Sequence, residues 1–150
     1  MKLDPALEAL NLPVGTPEEI TEGMMWLEPI DNIFTKHSCD HAAPRGSRNG
    51  RSWEEVLEGK RGDYDYDRTA GSIREHGFVR PVSVRVEWGG VKDGSYDYGD
   101  GHHRLAAAID EGFTHIPVKA YEGDYGISRD SGCWDGKLES ARDPRHNSGY

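Results

Sequence analysis

Apolar and polar residues alternate most clearly over residues 81–88, where Val82, Val84 and Val86 are separated by Ser83 and Arg85. Such alternation is typical of a β-strand with one face on a hydrophobic core. The glycine-rich stretches 89–90 and 93–94 then predict a turn with an antiparallel return. Three further strands are predicted at residues 24–30, 95–98 and 116–121.

A different spacing predicts the helices. Over residues 102–111, Leu105, Ala108 and Ile109 fall on one side, as in a packed helix. Ser52 followed by Glu55 forms a capping-box pattern, so a helix should begin at Trp53 and run to about residue 58. Other helices are predicted at residues 5–10, from the Thr16-Pro17 cap signal, and at 67–75 with Gly77 as its stop.

These elements predict an α+β domain over residues 24–122, with a small mixed β-sheet flanked by helices. Residues 1–23 are expected to form an N-terminal helical extension. Residues 35–52 are polar and predict a long loop of the kind that is functional or disordered. Residues 123–150 are rich in Gly, Asp, Ser and Arg and predict an irregular tail. Trp134 in that tail indicates docking on the domain or contact with a protein partner.

Composition restricts the function classes. The chain has 150 residues and a net charge of −9, which disfavours a protein that coats nucleic acid through a basic face. A local positive pocket of a nuclease or nucleotide enzyme stays compatible with it. No apolar run approaches the ~20 residues that span a bilayer, and the first residues lack a secretion signal. We therefore expect a cytoplasmic protein with no membrane contact. Cys39 and Cys133 do not make a disulfide framework.

The segment Asp100-Gly101-His102-His103-Arg104 lies between a predicted strand and a predicted helix. The first amides of a helix have no intrahelical partners, and the helix dipole is positive there, so this position favours anions. Gly101 permits a sharp turn and close approach of a ligand. Arg104 opposes the dipole, which an anion gripped by its guanidinium would explain. The segment therefore predicts a phosphate-binding site.

The other side chains of this loop suggest chemistry. His102 and His103 can donate to phosphate oxygens, transfer protons near neutral pH or ligate a metal. Asp100 can bind a divalent cation that bridges to the phosphates. The alternative is that Asp100 is an ordinary helix N-cap residue and that the basic residues merely face solvent. The residues alone leave both interpretations open.

Two blocks of sequence resemble the ParB/sulfiredoxin-like superfamily. Residues 69–86, TAGSIREHGFVRPVSVRV, resemble its "helix, SI-x-x-x-G, then P-x-x-V strand" block. Residues 100–108, DGHHRLAAA, followed by Gly112 and by Ile116-Pro117-Val118, resemble its second block. The resemblance covers about residues 24–121 and implies a ParB/sulfiredoxin-like fold. It also implies phosphate-binding roles, which fall on Gly101, His102, His103, Arg104, Ser72 and Arg80.

Departures from the family pattern narrow the implied function. The position matching His102 is the reactive cysteine in sulfiredoxins, so sulfinic acid reduction is not expected. Chromosome-segregation ParB proteins carry Glu-Arg-Arg after the glycine and add a DNA-binding domain for which this chain has no room. The form at 100–104 resembles instead small stand-alone members, similar to those of bacteriophages.

The resemblance implies a metal-assisted nuclease or NTPase acting on nucleic acid or nucleotide. His102 or His103 would be the acid or base, and Mg²⁺ or a similar cation would lie near Asp100. One alternative is a free-serine-type kinase, in which Glu28, or equally Asp31, would be the base. An alternative of another class is a non-catalytic module in which a bound nucleoside triphosphate switches a loop that contacts a partner.

Other candidate groups have plainer alternatives. His37, Cys39, Asp40 and His41 are possible zinc ligands, but paired ligands are not repeated elsewhere, and a polar loop near the phosphate pocket is favoured. The basic group of the long loop could close over a nucleotide or remain solvated; it consists of Arg45, Arg48 and Arg51. Four tyrosines could stack on bases or pack on the sheet: Tyr64, Tyr66, Tyr96 and Tyr98. Trp26 and Trp88 are predicted to lie in the core or at its edge.

Overall fold

The computed structural model describes residues 2–123 and Asn147. Within them the helices are α1 (Pro5–Glu8), α2 (Ile30–Ile33), α3 (Trp53–Arg61), α4 (Tyr66–His76) and α5 (His102–Asp110). The strands are β1 (Met25–Pro29), β2 (Val82–Val86), β3 (Asp97–Tyr98) and β4 (His115–Glu122). The predicted α+β class is confirmed, and the four predicted strands form at the expected places.

The four strands form one mixed sheet in the order β1-β4-β2-β3. β1 is antiparallel to β4, β4 is parallel to β2, and β2 is antiparallel to β3. In this register Trp26 and Val82 both pair with Val118, and Val84 pairs with Tyr98. Residues paired in this way share a face of the sheet, so a continuous apolar surface runs from Trp26 to Tyr98.

The helices cover this apolar surface, because α5 packs against both α3 and α4 while its Ala106 and Ala107 are fully buried. The small alanine side chains allow close approach of the helices. Trp53 of α3 fills the layer between helices and sheet, with edge contacts to Phe34 and Tyr98. The first turn of α5 is thereby held against α3 and the sheet.

Several local predictions are confirmed. The hydroxyl of Ser52 accepts a hydrogen bond from the amide of Glu55, so α3 begins as its capping pattern predicts. Gly77 ends α4 with a φ of +71°, a left-handed conformation that favours glycine. Trp26 is fully buried. Residues 35–52 form a loop, and short bridges tie Ser38 to β3 and Ala42 to Arg51.

Other local predictions are wrong. No helix forms at Thr16, whose hydroxyl donates to the carboxylate of Glu28 instead of capping. Trp88 lies outside the core with 61% of its surface exposed, because β2 ends at Val86. β2 is also buried along its whole length, although its alternation predicts one solvent face. Arg85 pairs there with Asp97 at 3.4 Å, which compensates the buried charge.

The N-terminal residues pack on the sheet and helices. Leu3 forms a bridge with Phe78, and Val14 forms one with Leu27. The side chains of Leu7 and Ile20 are part of the same buried cluster as β2 and α5. Among residues 2–123, no helix combines the length and the apolar character needed to cross a membrane.

Candidate phosphate-binding site

The loop before α5 is fixed by the start of β2. The amide of Gly99 donates to the carbonyl of Ser83 at 2.9 Å, and the amide of Ser83 donates to the carbonyl of Asp100 at 3.2 Å. The Ser83 hydroxyl accepts from the amide of Asp100 at 2.6 Å. The buried polar residue in β2 thus holds the loop, and the helix that follows leaves the sheet at a fixed point.

Gly101 is the N-cap residue of α5 and has a φ of +113°. No side chain caps the helix, so the alternative of Asp100 as N-cap is wrong. A Cβ atom on Gly101 would lie 2.6 Å from Cγ1 of Val82 and 3.0 Å from Nη2 of Arg104. Glycine is therefore required by backbone conformation and by space. The guanidinium of Arg104 lies directly beside this glycine.

Arg104 is buried, with only 1% of its surface exposed. Its Nη1 donates to the carbonyl oxygens of Pro81 at 3.0 Å and Arg80 at 3.4 Å. Its Nε and Nη2 are enclosed and have no hydrogen-bond partner, and no carboxylate of the described residues forms an ion pair with it. An enclosed guanidinium held only by carbonyl dipoles has unused donors for an anion.

His102 lies in an aromatic cage rather than at the surface. Its ring stacks on Trp53 with the ring centroids 5.8 Å apart and meets Tyr98 edge-on at 4.9 Å. Burial lowers the pKa of His102 to about 4, and the nearby Lys60 adds to this, although the charge of Asp40 opposes it. The imidazole is therefore neutral at pH 7, with Nε2 enclosed and without a partner.

Asp40 and Lys60 lie beside this histidine. Oδ2 of Asp40 is 3.5 Å from Nδ1 of His102 and 2.5 Å from Nζ of Lys60. Burial alone would raise the pKa of Asp40, but the surrounding positive charges outweigh it and lower the pKa. Asp40 is therefore ionised at neutral pH. Its carboxylate faces Nδ1 of His102.

His103 points in another direction, toward the turn between α3 and α4. Its Nε2 is 2.6 Å from Oδ2 of Asp63. A carboxylate oxygen of Asp65 completes a group of three ligand atoms that all lie within 4.8 Å of one another. The two adjacent histidines thus have different environments: His102 is enclosed by aromatic rings with Asp40 beside it, and His103 is partly exposed and faces two carboxylates.

Arg80 contacts Arg104, and Ser72 contacts Asn147. The carbonyl oxygen of Arg80, rather than its side chain, accepts a hydrogen bond from Nη1 of Arg104 at 3.4 Å. The hydroxyl of Ser72 accepts from Nδ2 of Asn147 at 2.9 Å. Asn147 is fully buried, and it also donates to the carbonyl of Gly77 and accepts from the amide of Val79. The phosphate-binding roles of Ser72 and Arg80 remain predictions.

Glu28 is fully buried on β1, and its Oε1 accepts a hydrogen bond from the hydroxyl of Thr16. β4 and β2 lie between β1 and the strand that leads into the loop. Burial raises the pKa of Tyr96 well above its usual value, and the charge of Glu28 raises it further. The structure thus places Glu28 beside Tyr96 and Thr16, apart from residues 100–104. Asp31 lies on the surface in α2.

Of the remaining candidates, Cys39 lies beside the loop, with its Sγ 3.3 Å from the carbonyl oxygen of Gly99 and within 4.8 Å of ligand atoms of Asp40 and His102. Cys39 is not a free thiol, which removes it as a thiolate ligand, while His37 and His41 are exposed. Cys133 and Trp134 lie outside the described residues. Arg45 pairs with Glu54 at 2.9 Å and covers the ring of Phe34, and Arg48 and Arg51 are exposed.

Sequence reasoning named Asp40 as a possible zinc ligand in a loop near the phosphate pocket, but it assigned Asp63, Asp65 and Asn147 to no site. The spacing of Asp63 and Asp65 in an acidic turn was a usable signal, since both carboxylates precede a helix. Their proximity to His103 could not be derived without the packing of α4 on α5. Asn147 carries no local signal, because it is a single polar residue 75 positions from Ser72.

No protein-family model and no curated protein matches the sequence. Among solved structures, the chain is similar to the C-terminally truncated chromosome-partitioning protein ParB from Caulobacter crescentus complexed with CTP-gamma-S. The identity is 24% and the TM-score 0.41, covering 68% of this chain and 46% of that chain. It is also similar to sulfiredoxin from Arabidopsis thaliana, with 20% identity and a TM-score of 0.41, covering 67% and 86% of the two chains.

The chain has the predicted mixed sheet flanked by helices. The chain spans about half the length of the ParB structure that it matches.

Proposed function

We propose that the N-terminus of α5 binds a phosphate group of a nucleotide or nucleic acid. The ligands would be the first free amides of α5 together with the guanidinium of Arg104. Gly101 adopts the φ of +113° with which the chain turns into α5, so that the first amides of the helix are presented beside Arg104. The ligand would supply the negative charge that the described residues do not offer to Arg104.

The enclosed guanidinium of Arg104 is the observation that carries this proposal. Burying a charge without an opposite charge costs several kcal/mol, so folded proteins pair such groups. Arg104 is 1% exposed, has two nitrogens without partners, and lies beside a helix N-terminus that itself favours an anion. A purely structural arginine would be expected to meet a carboxylate, as Arg85 meets Asp97.

Hydrolysis of a phosphoanhydride or phosphodiester bond is the reaction we propose at this site. Arg104 and the amides of α5 would hold the phosphoryl oxygens and stabilise the charge that they gain in the transition state. His102 is neutral at pH 7, so it could accept a proton but could not supply one. His103 lies at the open side of the loop beside Asp63, where water can reach it.

Kinase chemistry with Glu28 as base has less support. A general base must come within hydrogen-bond reach of the proton that it removes. Glu28 is fully buried, bonded to Thr16, and separated from the loop by two strands.

A non-catalytic nucleotide-binding module is the second candidate, and the burial of His102 favours it. An imidazole enclosed by Trp53 and Tyr98 has no direct access to a water nucleophile. In this alternative the ligand would bind at the same amides and at Arg104, but no bond would break.

Binding and turnover should be measured separately. Calorimetric titration of the full chain with ATP and with CTP, in EDTA and in Mg²⁺, measures binding. Release of phosphate, and cleavage of plasmid and single-stranded DNA in Mg²⁺, measure hydrolysis. Turnover supports the enzyme, whereas binding without turnover supports the module. Absence of binding to every nucleotide and nucleic acid would overturn both.

The variant Arg104→Lys keeps the charge and removes the forked donor geometry. We expect it to weaken phosphate binding by at least about tenfold, because charge-assisted bidentate contacts are worth well over 1 kcal/mol. Arg68→Lys is the matched control, since Arg68 lies exposed on α4 and takes no part in the site. Equal loss in both variants would mean that the contact with Arg104 is not specific.

A further inference from the structure

We propose that Asp63, Asp65 and His103 form a binding site for a divalent cation, with Mn²⁺ or Mg²⁺ as the class of ion. The three residues come from two elements, the turn between α3 and α4 and the first turn of α5. This site differs from the position that the sequence suggested at Asp100, and it does not depend on Asp100.

The three ligand atoms lie close together, although Nε2 of His103 and Oδ2 of Asp63 are nearer to each other than two ligands of one cation would be. Nε2 of His103 is 2.6 Å from Oδ2 of Asp63, and the carboxylate of Asp65 lies with them inside 4.8 Å. Atoms that bind one cation at about 2.0–2.3 Å are separated from one another by roughly 3–4.5 Å. A small outward movement of Asp63 would place all three around one ion.

Asp63 contacts His103, but neither Asp63 nor Asp65 pairs with a lysine or an arginine among the described residues. Asp65 is the N-cap residue of α4, yet its side chain makes no capping hydrogen bond. Asp40 and Asp110, by contrast, each pair with a lysine or an arginine. Two like charges this close repel each other unless a cation lies between them.

The ring of His103 is oriented with Nε2 toward the carboxylate of Asp63. Only 13% of its side chain is exposed, and its Nδ1 is enclosed, so the ring can present only Nε2 outward. One imidazole and two carboxylates form a mixed nitrogen and oxygen donor set, which suits Mn²⁺ better than the oxygen-preferring Mg²⁺, and open positions would keep water. Asp63 is half exposed, which leaves a path by which a hydrated ion could enter. By contrast, Asp100 is only 4% exposed.

The position of the cluster also fits the proposed phosphate site. His103 is adjacent in sequence to both His102 and Arg104, at the mouth of α5. A cation held there could contact a phosphate bound at the helix N-terminus and neutralise part of its charge. This functional role rests on the proposed function, but binding of the metal itself does not.

The direct test is titration of the metal-free full chain with Mn²⁺, followed by electron paramagnetic resonance of free and bound ion. Wild type should bind one Mn²⁺ per chain, and Mg²⁺ should compete. Asp63→Asn and Asp65→Asn should each weaken binding by at least about tenfold, as loss of a ligand does. Asp67→Asn removes a nearby exposed carboxylate outside the cluster and should leave binding unchanged.

Absence of Mn²⁺ binding at millimolar concentration, or equal weakening in all three variants, would overturn the metal site. Circular dichroism of each variant separates loss of a ligand from loss of the fold. Nucleotide binding in EDTA tests the phosphate site alone. Nucleotide binding without Mn²⁺ binding therefore refutes the cation site and leaves the phosphate site standing, while the reverse result refutes the phosphate site.

Discussion

Nη1 of Arg104 donates to the carbonyl oxygen of Pro81 at 3.0 Å, which ties the first turn of α5 to the residue preceding β2. The contact fixes the guanidinium beside Gly101 while leaving Nε and Nη2 without protein partners. Two carbonyl dipoles orient the cation but do not neutralise it. The fold therefore holds a charged group ready for a ligand at a cost to its own stability.

Replacing Arg104 by methionine should reveal that cost. Removing one member of a well-paired buried ion pair destabilises a protein by about 3–5 kcal/mol, because the other charge is left alone. Arg104 has no such partner, and methionine has similar length and flexibility. We expect Arg104→Met to lower the free energy of unfolding by no more than about 1 kcal/mol, the scale of the lost carbonyl hydrogen bonds, or to raise it, because the cost of burying the charge disappears.

Urea unfolding of wild type and Arg104→Met, without phosphate in the buffer, measures this change. The same variant should bind no nucleotide. A loss of 3 kcal/mol or more would identify Arg104 as a structural residue and would contradict its assignment to a ligand.

Local sequence patterns correctly located the strands and helices whose positions are set by side-chain spacing and by capping. The spacing of Val82, Val84 and Val86 located β2, and the Ser52 cap located the start of α3. The prediction failed where tertiary contacts compete with local signals. Thr16 has a cap pattern, but the buried carboxylate of Glu28 takes its hydroxyl. Strand alternation likewise could not reveal that Ser83 is buried and holds the loop before α5.

The candidate site was predictable where it is contiguous in sequence. Gly101 to Arg104 could be chosen because a glycine turn before an amphipathic helix is a local feature. The different environments of His102 and His103 arise from α3 and from the α3–α4 turn, which the helix periodicity does not locate. Whether Glu28 takes part in chemistry stays a prediction of the resemblance.

Gly101→Ala should destabilise the chain strongly. A Cβ at a φ of +113° is strained, and it would also lie 2.6 Å from Val82, so we expect a loss of about 2–5 kcal/mol. Gly112→Ala is the control, because Gly112 has a φ of +80° with open space around it. It should lose only about 1–2 kcal/mol. If urea unfolding showed the same loss of stability for Gly101→Ala and Gly112→Ala, the new methyl group would not clash with Val82.

Asn147 should stabilise the turn that carries the carbonyl partners of Arg104. It makes hydrogen bonds with Ser72, Gly77 and Val79 while fully buried. Asn147→Ala would leave buried groups unpaired, so we expect a loss of about 1–3 kcal/mol in the free energy of unfolding. The exposed Asn49 supplies the control Asn49→Ala, expected to change it by less than about 0.5 kcal/mol. Indistinguishable unfolding curves for the two variants would contradict the docking of Asn147.

Tyr96 should make the fold sensitive to alkaline pH. Burial, and then the charge of Glu28, raise the pKa of Tyr96 well above 10 in the folded chain. In the unfolded chain this phenol ionises near its ordinary pKa of about 10. The unfolded state therefore loses a proton that the folded state keeps, and stability is full below pH 10 and falls above it. At pH 11 the loss from this group is about 1.4 kcal/mol.

Tyr96→Phe removes the ionising group, so the free energy of unfolding of this variant should fall less than that of wild type between pH 9 and pH 11. Lysines and other tyrosines titrate in the same range, but they do so in both proteins and cancel in the difference. Tyr64 is 99% exposed, so Tyr64→Phe should follow the wild-type pH dependence. If Tyr96→Phe also followed it, the phenol of Tyr96 would have to ionise inside the fold, and its burial beside the Glu28 carboxylate would be wrong.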